Sequence, residues 1–319
     1  MARLPVSWED VDVAAQCIAP FVRRTPVMTS HSIDEAVGAE VFFKCENLQR
    51  TGSFKFRGAC NAVAQLSEAE RARGVLTHSS GNHAQALARA AQLHRVVAHV
   101  VMPEDAPEVK RSAARDFGAR VIDCAPTHDG RVETATRVEE ETGARFISAH
   151  DDPHVIAGQG TAACELVAEV GPLDLVLAPV GGGGLLSGTL IAMRHLLPTA
   201  EVIGCEPAAA DDAYRGLRAG ERVTEFVPRT IADGLRTPLG ERTFDILHSL
   251  AADLVLVSEA EIVAAMRFVW ERMKILIEPS SAVAVAPLLS GSIDCAGKRV
   301  GILLSGGNVD LGAALRLFG

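Results

Sequence analysis

The stretch LVLAPVGGGGLLSGTLIAM, residues 175–193, carries no charge and is about the length of a membrane span. Pro179 and the four consecutive glycines Gly181, Gly182, Gly183 and Gly184 argue against one continuous helix through it. The reading that fits is a buried strand over LVLAP, a glycine turn, and a helix over GLLSGTLIAMRHLL. The same alternation extends both ways. Upstream, GVLTHSS, VVAHVVM and RVIDC read as strands, each followed by a helix: NHAQALARAAQL, PEVKRSAARDFGA and GRVETATRVEEETG. VIAGQGTAACELVAEV is a helix ahead of LDLVLAP. Downstream, AEVIGCEP, ADLVLVS and KRVGILLSGG read as strands and EAEIVAAMRFVWERM as a helix. Strands alternating with helices imply parallel pairing, so the fold class is α/β with two open parallel-sheet units. The smaller unit, 74–149, is inserted into a larger one made of 1–73 and 150–319.

The totals set bounds on function. With 319 residues, 48% hydrophobic and 22% charged, the chain is globular and long enough for two domains. Only 4% is aromatic, which argues against a base-stacking or sugar-binding surface. The net charge of −9 and the lack of a basic run exclude nucleic acid and an anionic membrane as expected partners. Seven dispersed cysteines with no C-x-x-C pair suggest reduced thiols in a cytoplasmic-type compartment. MARLPVSWEDVDV, at the start, lacks the apolar centre of a secretory signal.

Ligands of open parallel sheets bind beyond the carboxyl ends of strands. The unusual residues fall there: Ser79, Ser80, Gly81, Asn82 and His83 after GVLTH, Gly181–Gly184 after LVLAPV, Glu206 after VIGC, and Ser305 after VGILL. Four glycines ahead of a helix let backbone N–H groups converge on an anion, most naturally a phosphate, although a tight turn alone would use one or two. No lysine follows them, so a nucleoside triphosphate loop is disfavoured. TGSFKFRGAC, residues 51–60, sets Lys55 between Phe54 and Phe56. It is either a surface lysine whose stem lies on apolar neighbours or a partly dry lysine whose lowered pKa frees the amine for a Schiff base. SSGNHAQ, residues 79–85, supplies hydroxyls and an amide at a helix start, where Ser80 or Asn82 would serve equally as a cap. A phosphate cradle and an activatable lysine together suggest pyridoxal phosphate.

TGSFKFRGA, SSGNHAQ, VIAGQGT, PVGGGGLLSG, TIADG, IEPSSA and SGGNVDL resemble, in this order, the fold-type II pyridoxal-phosphate enzymes of the serine racemase and threonine/serine dehydratase family, with its tryptophan-synthase-β-like fold. The resemblance runs from about Thr25 to Leu311. It implies a Schiff-base lysine and general base at Lys55, with Phe54 packed beside the cofactor. Asn82 would bind the ring oxygen, Gly181 to Gly184 with Leu185 the phosphate, and Ser305 would face the pyridine nitrogen; Gly234 and Glu278 complete the cofactor site. A hydroxyl at Ser305, unlike a carboxylate, does not hold the ring nitrogen protonated, which favours β-elimination over transamination. Ser80 resembles the second acid/base on the opposite face, which would add racemisation; Ser79, Asn82 and His83 would join it at the substrate. CEPAAADD implies a divalent cation (Mg²⁺, Mn²⁺ or Ca²⁺) on Glu206, Asp212 and the Ala210 carbonyl, against the simpler reading of acidic residues capping a helix. A homodimer fits the family. The chain ends at Gly319, just after SGGNVDL, so no separate regulatory domain is expected.

The match departs from the family at one place. Many relatives carry His-Pro before the DDP segment; this chain has Ser148, Ala149 and His150 there. Arg131 aligns with an arginine that racemase-like members place near the substrate. Arg131 and His150 together would receive a second carboxylate, making the substrate 3-hydroxyaspartate and the product oxaloacetate; a solvated Arg131 and an ordinary loop His150 would leave serine or threonine. The expected activity is therefore that of an ammonia-lyase (dehydratase) acting on a 3-hydroxy amino acid. Serine or aspartate racemisation, β-replacement of the cysteine-synthase type and a non-catalytic cofactor carrier are the alternatives.

Overall fold

Leu175–Pro179 is a strand buried along its whole length, and the glycines after it turn the chain into the helix Gly184–Leu196. The uncharged stretch is thus strand, turn and helix, and among the described residues no helix is long and apolar enough to cross a membrane. The computed structural model describes residues 4–106, 108–250 and 252–318. Along the chain, the first segment holds α1 (Trp8–Ile18), β1 (Val27–Met28), α2 (His31–Val37), β2 (Glu40–Cys45), α3 (Lys55–Ala64) and α4 (Glu68–Arg73). Next come β3 (Val75–His78), α5 (Asn82–His94), β4 (Ala98–Pro103), α6 (Glu108–Asp116), β5 (Arg120–Cys124), α7 (His128–Thr142) and β6 (Arg145–Phe146). The remainder is α8 (Pro153–Val170), β7 (Leu175–Pro179), α9 (Gly184–Leu196), β8 (Glu201–Pro207), α10 (Asp212–Ala219), α11 (Glu241–Ser249), β9 (Asp253–Val257), α12 (Glu259–Met273), α13 (Pro279–Ala282), α14 (Ala286–Ser290), β10 (Arg299–Leu304) and α15 (Leu311–Leu317).

Two sheets result, ordered β1-β2-β10-β7-β8-β9 and β5-β4-β3-β6. All pairings are parallel except β1 with β2. Side chains alternate faces along a strand, and here both faces are covered, which is why the strands read as apolar runs. In the larger sheet Leu175 and Leu177 face a core built with α2, α12 and α14, whereas Val176 and Ala178 face one built with α1, α8 and α9. The chain-distant strand β10 lies between β2 and β7, bringing Ser305 and the glycines after β7 to the same end of the sheet.

Several elements differ from the sequence reading, β2 among them. β1 and β6 are only two residues long and carry too little pattern to be seen. The helix expected over PEVKRSAARDFGA is α6; its first residue, Pro107, lies outside the described residues. α7 starts at His128, ahead of the expected Gly130, because the Thr127 hydroxyl caps it by accepting from the Gly130 N–H.

Candidate active site

Lys55 opens α3, and its backbone is tied to the end of β10: Phe54 N donates to the Ser305 carbonyl at 2.9 Å, and Ser53 bridges Gly306. α3 lies tightly on α8, because a Cβ at Gly58 would come within 2.6 Å of the Val155 carbonyl and one at Gly158 within 2.7 Å of the Gly58 Cα. Gln159 Oε1 accepts from Gly58 N at 3.1 Å. Two residues past Lys55, about 200° around the helix, Arg57 points the other way, into α8. Its guanidinium is fully buried and grips both oxygens of Glu46 and both of Glu165, while Lys44 donates to Glu165 at 2.7 Å. Burial works against the Arg57 charge, but the Glu46 carboxylate and these hydrogen bonds hold it protonated.

With α3 fixed, the half-buried Lys55 Nζ donates to the Ala149 carbonyl at 2.8 Å and stands 5.0 Å from the Phe54 ring centre. Burial lowers its pKa from 10.5 to about 8, against an opposing pull from the Glu278 carboxylate. This environment fits the partly dry reading of the lysine.

Beyond β7 the glycine loop is lined so closely that side chains have no room. A Cβ would lie 2.7 Å from the Leu235 Cα at Gly181, 2.4 Å from the His150 ring at Gly182, 2.6 Å from a Leu239 methyl at Gly183 and 2.9 Å from the His150 carbonyl at Gly184. Gly183 also has φ +86°, a conformation open to glycine. It is the N-cap of α9 and offers no side-chain cap, and Leu185 in the first turn is buried. A row of backbone N–H groups at an uncapped helix start, cleared of every Cβ, fits a phosphate. Gly234 lies alongside, its N–H donating to Ser280 Oγ at 3.0 Å.

The opposite wall is the start of α5. The N-cap there is Gly81, with no side-chain cap, so Ser80 and Asn82 do not cap the helix. Ser79 Oγ accepts from Gly81 N at 3.3 Å. Asn82 Nδ2 donates to Glu278 at 2.9 and 3.2 Å, and its Oδ1 accepts from Asn308 Nδ2 at 2.9 Å. Glu278 is buried, and burial lifts its pKa to about 7 despite the Asn82 hydrogen bond. Ser305 is likewise buried, at the end of β10. His83 is buried with Nε2 3.3 Å from the Ile147 carbonyl and Nδ1 without a partner; burial, then Lys55, lowers its pKa to about 3, so the ring is neutral.

Arg131, in the first turn of α7, forms no ion pair among the described residues, and its Nε is buried without a hydrogen-bond partner. Its charge acts on His78, at the end of β3, and on Cys124, at the end of β5. His150 packs against Gly182, and burial followed by Lys55 lowers its pKa to about 3. His78, which the sequence reading passed over as the end of a strand, is close enough for its charge to act on both His150 and His83, and Arg131 acts on it in turn. Its ring packs on Phe146 at 5.1 Å.

Glu206 closes β8 with its carboxylate buried, accepting from Ala213 N at 2.9 Å and Tyr214 N at 2.8 Å. It thereby serves the start of α10 as the capping reading expected. Asp212 Oδ2 accepts from Leu239 N at 3.0 Å, while Oδ1 is buried with no partner. Burial raises Glu206 to about 8 and Asp212 to about 6. Two crowded, buried carboxylates with an orphaned oxygen, beside the buried Ala210, fit an oxygen-liking divalent cation. No cluster of three or more His, Cys, Asp or Glu side chains suited to a metal occurs among the described residues.

Comparison with known proteins gives the family. Residues 18–306 match the family described as pyridoxal-phosphate dependent enzyme. The chain is 47% identical over 305 residues to a beta-hydroxyaspartate dehydratase of Paracoccus denitrificans, covering 96% of this chain and 97% of that one. It is 46% identical over 306 residues to an L-threo-3-hydroxyaspartate ammonia-lyase of Saccharomyces cerevisiae, covering 96% and 94%. The crystal structure of serine racemase from Dictyostelium discoideum superposes with a TM-score of 0.92 at 48% identity, over 96% of this chain and 99% of that one.

Proposed function

The chain belongs to the pyridoxal-phosphate-dependent enzymes, and on that premise we propose that it is an ammonia-lyase eliminating water from 3-hydroxyaspartate to give oxaloacetate and ammonia. The observation that carries the substrate is Arg131, a guanidinium near the strand ends of the cleft with a buried Nε and no acidic partner among the described residues. A buried guanidinium N–H without an acceptor is costly, and a substrate's second carboxylate would supply one through a bidentate pair. His150, neutral at pH 7, would contribute a hydrogen bond and no charge. The two hydroxyaspartate-named relatives described above support this choice.

Pyridoxal phosphate, when bound, supplies an electron sink that acidifies the α C–H bond of an amino acid. The N–H groups of Gly181 to Gly184 and Leu185 would hold its phosphate; Asn82, Gly234, Glu278 and Ser305 would border its ring, with Phe54 excluding water. Ser79, Asn82 and His83 would receive the α-carboxylate at the start of α5. The Lys55 amine, its pKa lowered by burial to about 8, takes the α proton onto Nζ in its neutral form. The β-hydroxyl leaves as water with the proton that Nζ took, which returns the amine to its neutral form, and the enamine product, once released, tautomerises and hydrolyses in solution to keto acid and ammonia. Ser80 Oγ, returning a proton from the opposite side, would account for a racemase side reaction, in keeping with the serine racemase resemblance. A divalent cation on Glu206, Asp212 and the Ala210 carbonyl, a large unit of 1–73 with 150–319 around a small unit of 74–149, a homodimer and a cytoplasmic location complete the proposal.

The test is keto-acid release by the cofactor-loaded enzyme from 3-hydroxyaspartate isomers, L-serine and L-threonine. Preference for a hydroxyaspartate supports the reading; preference for serine or threonine refutes it.

A further inference from the structure

Thr243, in the first turn of α11, is buried and lies outside every motif of the site. Its hydroxyl donates to the Gly182 carbonyl at 2.8 Å, with the Gly240 carbonyl a longer alternative at 3.3 Å. Its Cβ and Oγ1 stand 2.8 and 3.0 Å from where a Cβ on Gly183 would be. No cis peptide occurs among the described residues, so the Gly182–Gly183 peptide is trans and planar, and its N–H points opposite to its C=O. Holding the Gly182 carbonyl toward Thr243 therefore turns the Gly183 N–H away from Thr243. That N–H has no partner among the described residues. Thr243 is itself anchored, its own N–H donating to Asp151 Oδ1 at 3.1 Å, and Asp151 follows His150, whose ring covers Gly182.

We propose that Thr243 is a positioning residue for the phosphate cradle, its hydroxyl locking the Gly182–Gly183 peptide so that the Gly183 N–H faces the cofactor phosphate. The inference rests on the reading of Gly181–Gly184 as that cradle. Without the hydroxyl, the flexible peptide is free to rotate, and one cradle donor is lost part of the time. A merely structural threonine would leave cofactor binding unchanged at equal stability.

The experiment titrates the cofactor-free chain with pyridoxal phosphate and, separately, with pyridoxal, which carries the aldehyde and no phosphate, following the absorbance of the bound ring. Wild type, Thr243→Val and Thr243→Ser are compared, with melting temperatures alongside. The expected result is pyridoxal phosphate affinity roughly tenfold weaker in Thr243→Val, restoration in Thr243→Ser, and unchanged pyridoxal affinity in all three. Wild-type affinity in Thr243→Val overturns the inference. Equal weakening toward both ligands, or failure of serine to restore binding, overturns it as well, since the residue then acts through the fold. Failure of the wild-type chain to prefer pyridoxal phosphate over pyridoxal overturns the cradle reading beneath it, and the inference with it.

Discussion

Lys55 Nζ and the Ala149 carbonyl are 2.8 Å apart, although 94 residues separate them in the chain. The contact exists because α3, which carries the lysine, and α8, which follows the Ala149 segment, meet through facing glycines, Gly58 and Gly158. One packing contact thus positions the amine and its acceptor together.

The first prediction concerns that amine. Burial lowers its pKa from 10.5 to about 8, so in the cofactor-free chain it is neutral, and nucleophilic, above about 8. The rate of cofactor capture by the cofactor-free chain should rise with pH and level off near that value. A plateau reached only near the pKa of a free lysine would contradict the dry site. Lys55→Ala should lower keto-acid release by at least about 100-fold, the small end of what a general base contributes.

Glu278 yields a prediction of opposite sign. Its pKa is raised from 4.5 to about 7 by burial, so between those values the folded chain holds a proton that the unfolded chain has released. The stability from this group is present below about 4.5 and is lost as pH rises through about 7. Its size is at most about 3 kcal/mol. Glu278→Gln, uncharged throughout, should flatten the dependence of unfolding free energy on pH over that window in the cofactor-free chain. An unchanged slope would show that Glu278 is not the group responsible.

The cation prediction is a stability measurement. Mg²⁺ at about ten times its dissociation constant should stabilise the wild-type chain by about 1.4 kcal/mol, seen as a higher melting temperature that a chelator reverses. Glu206→Gln keeps the shape and removes the charge, and should abolish the effect. A shift of equal size in the variant would mean that the ion binds elsewhere.

Much of the fold was legible because its elements carry their own signals. α12 spans Glu259–Met273 as read, since Ser258 and Glu261 form a capping box just ahead of an apolar periodicity. β2, Glu40–Cys45, was missed: Lys44 interrupts its apolar run, and the partner that makes a buried lysine tolerable, Glu165, lies 121 residues away. The candidate site shows the same division. Lys55 between its two phenylalanines stands out as a local motif, as do the glycines and Ser305 at strand ends. The pairing of Asn82 with Glu278 spans 196 residues, and Thr243 reaches Gly182 only because α11 folds back over the loop. His78 looked like the last residue of a strand, and only the packed sheet brings it within reach of the charge of Arg131 and of the two buried histidines.

The most direct test of the account is the ratio of kcat/KM for 3-hydroxyaspartate over L-serine, measured in the wild-type enzyme and in Arg131→Gln. If Arg131 receives the second carboxylate, the ratio should fall roughly 100-fold or more in the variant, the cost of removing one partner of a desolvated charge pair, while L-serine turnover stays near its wild-type value. An unchanged ratio would contradict the assignment of the substrate.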